Sequence, residues 1–483
     1  MPLLLKYTLT IIYVLFILFT IARILLDTQS TSKALGYILL VIIVPLAGSI
    51  FYYAFGINYR HLASTKKVAD KLNDFTKVFR QHIPDETNTI IETNAAALGQ
   101  YTELARFIHQ IGGEDLNANQ FKLLINGEEK FPDLLRVLET AKKSIHVEYY
   151  DWENDVRGNQ IKSVLLKKIG EGVKVRVIYD DYASGKIKSN IVKELKKGGA
   201  EIYPSVKVKL VMLASRLNHR DHRKLVIVDG LTGYVGGINI SDCYDNSIDT
   251  GLYWRDTHVK ITGPTVRNMQ CHFLTHWNSL QPDKVAYSED FFPVQKQDAA
   301  TAEFAQIQAG GPVFPMSNIM LTYFRIFSLA KTKLYITNPY FIPSESIMDA
   351  LKTASISGVD VRLMMPEKSD SAIVGAASRF YYKDLLQAGV KIYLYKKGFI
   401  HAKTVVADGM LSVVGTANMD IRSFELNMEI MSVIYGKDFG SQLEAAYLND
   451  ITECTQLTYG EWVKNGIIKQ LTIVIARLIS EFL

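Results

Sequence analysis

Charged residues are missing from two long stretches near the start of the chain, Tyr7 to Ala22 between Lys6 and Arg23, and Ala34 to Tyr59. A helix crosses a bilayer with about 20 apolar residues, so the second run is long enough by itself. The first reaches that length once Leu3 to Leu5 and Ile24 to Leu26 are added and Lys6 and Arg23 extend toward the headgroups. The pattern predicts a two-helix transmembrane hairpin over residues 1–59, with spans at about 4–26 and 34–56. A cleaved signal peptide is the competing reading of the first run, but no small-x-small cleavage site precedes the second.

Basic residues then cluster: Arg60, Lys66, Lys67, Lys71, Lys77 and Arg80, against Asp70 and Asp74. Basic residues flanking a span stay on the cytoplasmic side, which places this segment and all that follows in the cytoplasm. Residues 85–119 are polar and mixed without a strand pattern, so 60–118 reads as a basic juxtamembrane connector.

Beyond it the pattern repeats. Ile145 to Tyr150, Val173 to Ile178 and Glu201 to Tyr203 alternate or run apolar as strands, separated by helix-like segments. Leu334 to Asn338, Val359 to Met364 and Lys391 to Tyr393 do the same in the same order. Strand, helix, strand argues for α/β layers, here in two halves over 119–300 and 301–455. Their expected seam lies near Gln295 to Pro315, where Gly310, Gly311, Pro312 and Pro315 interrupt regular structure. Over 456–483, Val463, Ile467, Leu471, Val474, Ile475, Leu478 and Phe482 recur at helical spacing from Trp462 onward. This amphipathic helix either packs on the body or lies in a membrane interface.

Composition narrows the classes only modestly. Lys+Arg 54 against Asp+Glu 49 leaves a net charge of +5, too small an excess to argue for a nucleic-acid partner. Cys243, Cys271 and Cys454 have neither disulfide-scaffold nor zinc spacing.

The chemistry sits in a repeated motif, H-x-K-x4-D, at His222, Lys224, Asp229 and at His401, Lys403, Asp408. At matching offsets downstream come Gly236, Gly237 and Asn239, then Gly415, Thr416 and Asn418. On a strand, residues two apart share a face, so each unit projects an imidazole and an ammonium together. Two facing units would offer two imidazoles, two cations and the amides of Asn239 and Asn418, a set suited to a phosphodiester. The lysines and asparagines would stabilise phosphate oxygens, one histidine would attack phosphorus, and the other would protonate the leaving oxygen. The motif supplies no metal-ligand cluster, and no metal or cofactor is expected.

A nucleophilic imidazole needs an acceptor on its other nitrogen. Asp256 and Glu429 each open a strand after the asparagine turn, and we expect Asp256 to orient His222 and Glu429 to orient His401. Asp229 and Asp408 belong to the catalytic motif but fall at the far ends of their strands, where they more readily fix a turn than touch substrate.

These residues resemble the phospholipase D superfamily over about Phe121 to Tyr447. Asn218 to Gly230, His401 to Asn427 with Asn418, Asp420, Arg422 and Ser423, and the Pro45, Gly48, Gly56, Asn58, Tyr59, Arg60 pattern look more specifically like the bacterial cardiolipin synthases. The resemblance implies a duplicated phospholipase D-like domain, two α/β/α halves with mixed sheets sharing one active site, in a bacterial plasma membrane. It implies transfer of a phosphatidyl group between two phosphatidylglycerol molecules through a phosphohistidine, with His222 as nucleophile and His401 as acid then base. The motifs alone do not separate that transfer from hydrolysis of a phosphodiester by water. One departure is Asp221, where the family usually has asparagine. A shared site requires both histidines: His222→Ala and His401→Ala should each abolish most turnover in a lipid-product assay, and one fully active variant would contradict it.

Overall fold

The computed structural model describes residues 3–28, 31–56, 74–205, 219–281, 283–295, 302–464 and 466–480. Arg60, Lys66, Lys67, Asp70 and Lys71, Asn58 and Tyr59, Asn218, Phe482 and part of the expected seam lie outside these residues.

Among the described residues, one continuous mixed sheet of 15 strands organises the body. At its middle, strand Asn117–Ile125 pairs antiparallel with strand Glu303–Gly310 through Asn117↔Ala305, Ala118↔Phe304 and Asn119↔Glu303. On one side of this junction follow Thr257–Thr262, Thr232–Gly236, Lys224–Val228, Ser144–Tyr149, Lys174–Tyr179 and Glu201–Pro204. On the other follow Glu429–Tyr435, Leu411–Gly415, Thr404–Ala407, Lys333–Thr337, Asp360–Pro366 and Lys391–Tyr395, with Cys454–Leu457 at the edge. Orientations match on the two sides: the inner pairings are antiparallel, and the next two are parallel. Parallel neighbours need a crossover, and helices Val156–Gly170 and Glu345–Ile356 supply it at equivalent places.

Two expected boundaries shift. The glycine at the expected seam, Gly310, ends a central strand, whose Ala305, Ile307 and Ala309 are fully buried. The expected connector is core: Ile91, Leu98, Tyr101, Leu104 and Ile108, on and around helices Thr87–Thr93 and Thr102–Gly112, join the same apolar cluster as Leu334, Ile336 and Val413. Helix Thr102–Gly112 is strongly amphipathic, but its polar outer face and flanking polar loops mask the buried stripe in a linear reading.

At the N-terminus, helix Leu3–Asp27 is long and apolar enough to cross a membrane, and most of its side chains are exposed. The second expected span breaks. Helix Thr31–Ile43 reaches only about 20 Å, short of a hydrocarbon core of about 30 Å. Val44 leaves helical geometry because Pro45 follows it, and Pro45–Phe51 starts a new helix. The chain folds back so far that the Tyr37 and Tyr52 rings lie 5.4 Å apart, where an unbroken helix would separate them by about 22 Å. Gly48 permits the reversal, since a side chain there would collide with the Leu40 backbone.

The two motif aspartates are turn braces. Asp229 and Asp408 have φ of 54° and 55°, one residue before Gly230 and Gly409. The Asp229 carboxylate accepts from the backbone N–H groups of Lys142, Lys143 and Ser144. Asp408 accepts from those of Lys331, Thr332 and Lys333, and from the Tyr101 hydroxyl at 2.7 Å. Each ties the end of the motif strand to the start of its neighbour, the turn-fixing place expected for these two members of the motif. Asp408→Ala should therefore cost about 3 kcal/mol in chemical denaturation, with kcat changed by less than about threefold.

Candidate active site

Strand Lys224–Val228 and strand Thr404–Ala407 are almost wholly buried between apolar layers, and His222 and His401 sit just ahead of them. Both histidines and both lysines are buried. Lys224 Nζ donates to the His222 carbonyl at 2.8 Å and Lys403 Nζ to the His401 carbonyl at 2.5 Å. The two-residue strand spacing therefore does bring each ammonium back beside its own histidine.

The carboxylates are exchanged relative to the expectation. His222 Nδ1 lies 3.0 Å from both oxygens of Glu429, and His401 Nδ1 lies 2.8 Å from Asp256 Oδ2. Backbone pairing explains the exchange. Strand Trp254–Arg255 pairs in parallel with Phe399–Ile400, and the His401 N–H donates to the Arg255 carbonyl at 2.7 Å. Symmetrically, Asp221 bridges to Met428, and the His222 N–H donates to the Met428 carbonyl at 2.9 Å. Each histidine thus enters the site beside the residue preceding the other half's carboxylate.

The glycine-containing turns serve these carboxylates. Gly237 lies against Asp256 so closely that any Cβ would collide with the carboxyl group. At the matching offset, Thr416 instead donates its hydroxyl to Glu429 Oε2 at 2.5 Å. Asp256 is further held by the Thr257 N–H at 2.6 Å, and its own N–H donates to Asn126 Oδ1 at 3.0 Å.

Asn239 and Asn418 are buried, and each has an amide oxygen without a hydrogen-bond partner among the described residues. Asn239 Nδ2 donates to the Tyr244 hydroxyl at 2.7 Å. Asn418 receives Ser423 support through its backbone N–H at 3.1 Å.

Burial sets the protonation states. It lowers His222 to about 4, with Lys224 and Lys403 adding to the effect against Glu429. His401 falls well below its ordinary value through burial, Lys403, Lys224 and His222, so the four groups sense one another. Burial also lowers Lys224 to about 8 and Lys403 to about 7, opposed by Asp256 and Glu429. Burial lifts Asp256 to about 6, whereas for Glu429 the upward pull of burial is outweighed by His222 and Lys224, and it stays below its usual range. Neutral imidazoles with Nδ1–H turned to carboxylates leave Nε2 as a free base.

Sequence reasoning missed several neighbours. Lys130 is fully buried with Nζ 3.4 Å from the Asn239 carbonyl and 4.3 Å from the Phe131 ring centre. An aromatic collar surrounds the histidines: Tyr150 lies 4.7 Å from His222, and Tyr244, Trp254, Phe399 and Tyr340 lie within 6.2 Å of His401. Only motif offsets carried signal along the chain, and these residues come from scattered positions.

Asp221 is buried beside Glu148, Arg223 and His276. His276 Nδ1 lies 2.8 Å from Glu148 Oε1, and Arg223 Nη1 donates to the same oxygen at 3.4 Å. Burial and then the Glu148 charge push Asp221 well above the usual carboxylate range. A protonated aspartic acid, like an asparagine amide, offers a donor group beside an acceptor oxygen.

The fold and this site define a phospholipase D-like protein. A family model described as "Cardiolipin synthase, PLD-like domain" matches twice, over residues 134–277 and 323–451. The cardiolipin synthase of Listeria monocytogenes serotype 4a (strain HCC23) is 36% identical over 486 residues, covering 99% of this chain and 100% of that protein. That of Geobacillus kaustophilus (strain HTA426) is 35% identical over 468 residues, covering 97% and 92%. The phosphatidylserine synthase of Haemophilus influenzae Rd KW20 shares the fold, with a TM-score of 0.59 at 16% identity over 79% of this chain and 100% of that one. The chain belongs to the cardiolipin synthase family.

Two outcomes follow from the geometry. Gly237→Ala should displace Asp256, and hence His401, lowering kcat about 100-fold without loss of folded protein by circular dichroism. An unchanged kcat would contradict the packing. The pH profile of kcat/KM should drop on the acid side near 4, where His222 takes up a proton, and its alkaline decline should steepen between about 7 and about 8, where Lys403 and Lys224 lose theirs.

Proposed function

We propose that this chain is a phosphatidyltransferase that joins two phosphatidylglycerol molecules into cardiolipin and releases glycerol. The observation that carries the reading is the pair of buried, carboxylate-held imidazoles flanked by two lysines, in a chain aligned end to end with cardiolipin synthases. The two halves are inferred to be duplicated units, each contributing one H-x-K strand to a single site. Matching strand order and the double family match support this.

In the first step Nε2 of one histidine attacks phosphorus, forming an N–P bond as the P–O bond to glycerol breaks. The other histidine donates its proton to the departing oxygen, so it must be protonated in the substrate complex. The diester's negative charge favours that protonation. In the second step the same imidazole removes a proton from the terminal hydroxyl of a second phosphatidylglycerol, whose oxygen displaces the histidine. We assign the attack to His222, because ionised Glu429 at its Nδ1–H raises the basicity of Nε2, and the acid and base steps to His401. Lys224, Lys403, Asn239 and Asn418 would hold the phosphate oxygens. For Asn239 and Asn418, a half-turn of the amide would point nitrogen rather than oxygen into the site.

The apolar helix Leu3–Asp27 would anchor the chain in a bacterial plasma membrane, and the basic residues around 60–80 argue for a cytoplasmic site. Purified protein on phosphatidylglycerol vesicles, with chelator present, should yield cardiolipin and glycerol in equal amounts. Phosphatidic acid as the sole product would overturn transfer, and arrest by the chelator would overturn a metal-free mechanism.

A further inference from the structure

The C-terminal helix Ile467–Ser480 is mounted inside out. A narrow strip, Ile473 and Ala476, is buried against helix Ala372–Arg379, and the Arg477 guanidinium sits 4.4 Å from the Phe380 ring centre. Its opposite face carries Ile467, Ile468, Leu471, Val474, Ile475 and Leu478, all between 42% and 79% exposed. At about 100° per residue these six fall within an arc of about 120° that contains no polar side chain. A helix stabilised only by packing on its own protein would bury that arc and expose the other.

We propose that this face is seated in the acyl and headgroup boundary of the bilayer, making the helix a second lipid contact of the catalytic body, apart from the N-terminal helix. The proposal rests on the lipid-substrate reading above. Three observations favour a lipid surface over a protein partner. From Lys464 to Ser480 the chain has Lys464, Lys469 and Arg477 and no acidic residue, the charge sign suited to an anionic bilayer. Ile373, on the helix that supports it, is 44% exposed and adds to the apolar area. That supporting helix also reaches the site: Asp370, just before it, accepts from the Tyr340 hydroxyl at 2.5 Å, and the Tyr340 ring lies 6.2 Å from that of His401. A bilayer touching the outer helix would therefore lie near the rim through which a phosphatidyl headgroup must reach the histidines, keeping the acyl chains in lipid.

The test uses the full chain. Leu471→Trp, reconstituted in phosphatidylglycerol vesicles, should show fluorescence above the parent background that is quenched at least about threefold more by lipids brominated on their acyl chains than by unbrominated lipid. The double variant Leu471→Glu with Ile475→Glu should lose about 10-fold in turnover on vesicles while keeping parental turnover on phosphatidylglycerol dispersed in detergent micelles. Absence of quenching in the Leu471→Trp variant, equal turnover on vesicles, or equal losses on vesicles and micelles would each overturn the proposal. So would ready disulfide formation between Leu471→Cys copies, which would point to a second copy of the chain as the occupant. The quenching readout is independent of product, so a parent protein that makes no cardiolipin in micelles would refute the enzymatic reading and leave the lipid contact separately decided.

Discussion

Each motif imidazole is held by a carboxylate from the opposite half of the chain, His222 by Glu429 and His401 by Asp256, and the rest of the site depends on that exchange. Buried carboxylates are costly unless paired, and buried imidazoles need a defined tautomer. Crossing the pairs meets both requirements only when the two halves are docked in one register. The short parallel pairings beside the histidines fix that register: Phe399–Ile400 with Trp254–Arg255, and Asp221 with Met428. Binding geometry and half-to-half packing are thus the same set of contacts. The central strands Asn117–Ile125 and Glu303–Gly310 continue the coupling through the sheet, so neither half can shift without moving a histidine away from its acceptor.

The exchange also shapes the electrostatics. Two lysines and two histidines crowd a buried volume with two carboxylates, and burial is the largest influence on every one of their shifts. The imidazoles are therefore neutral and the lysine protons weakly held. An anionic phosphodiester is the natural complement, because its charge would restore the protons that burial discourages. The halves are not identical in this respect. Thr416 adds a hydroxyl to Glu429 where Gly237 merely makes room for Asp256, and the two carboxylates are displaced in opposite directions. Similar imidazoles thus receive different support on the two sides of the site.

The motif residues and the strand order around them were legible because period-two alternation and fixed offsets are local properties. His222, Lys224, His401 and Lys403 follow directly from them, as do Asp256 and Glu429 as carboxylates of the site. Their partners do not, since nothing in the spacing says that a carboxylate crosses to the other half; that depends on backbone pairing between segments far apart in the chain. The same reason hid Lys130 and the aromatic collar. The second membrane span misled because hydropathy counts apolar residues and ignores a proline: Val44 and Pro45 turn one long run into a folded-back pair of short helices. The stretch before Asn117 looked like a linker because its polar face dominates the composition, although its apolar stripe is core.

Among the described residues, apolar surface and the candidate site are carried on regular elements. Helices at both ends of the chain carry exposed apolar side chains, while the sheet between them keeps the imidazoles buried and oriented. The crossed pairs are the central claim, and they can be observed one at a time. In protein labelled with 15N-histidine, the downfield Nδ1–H resonances of His222 and His401 can be assigned through substitution of each ring. Glu429→Gln should then move the His222 resonance and leave that of His401 in place, and Asp256→Asn should do the reverse. Movement of the His401 resonance by Glu429→Gln, with His222 undisturbed, would contradict the exchange and return each carboxylate to its own half.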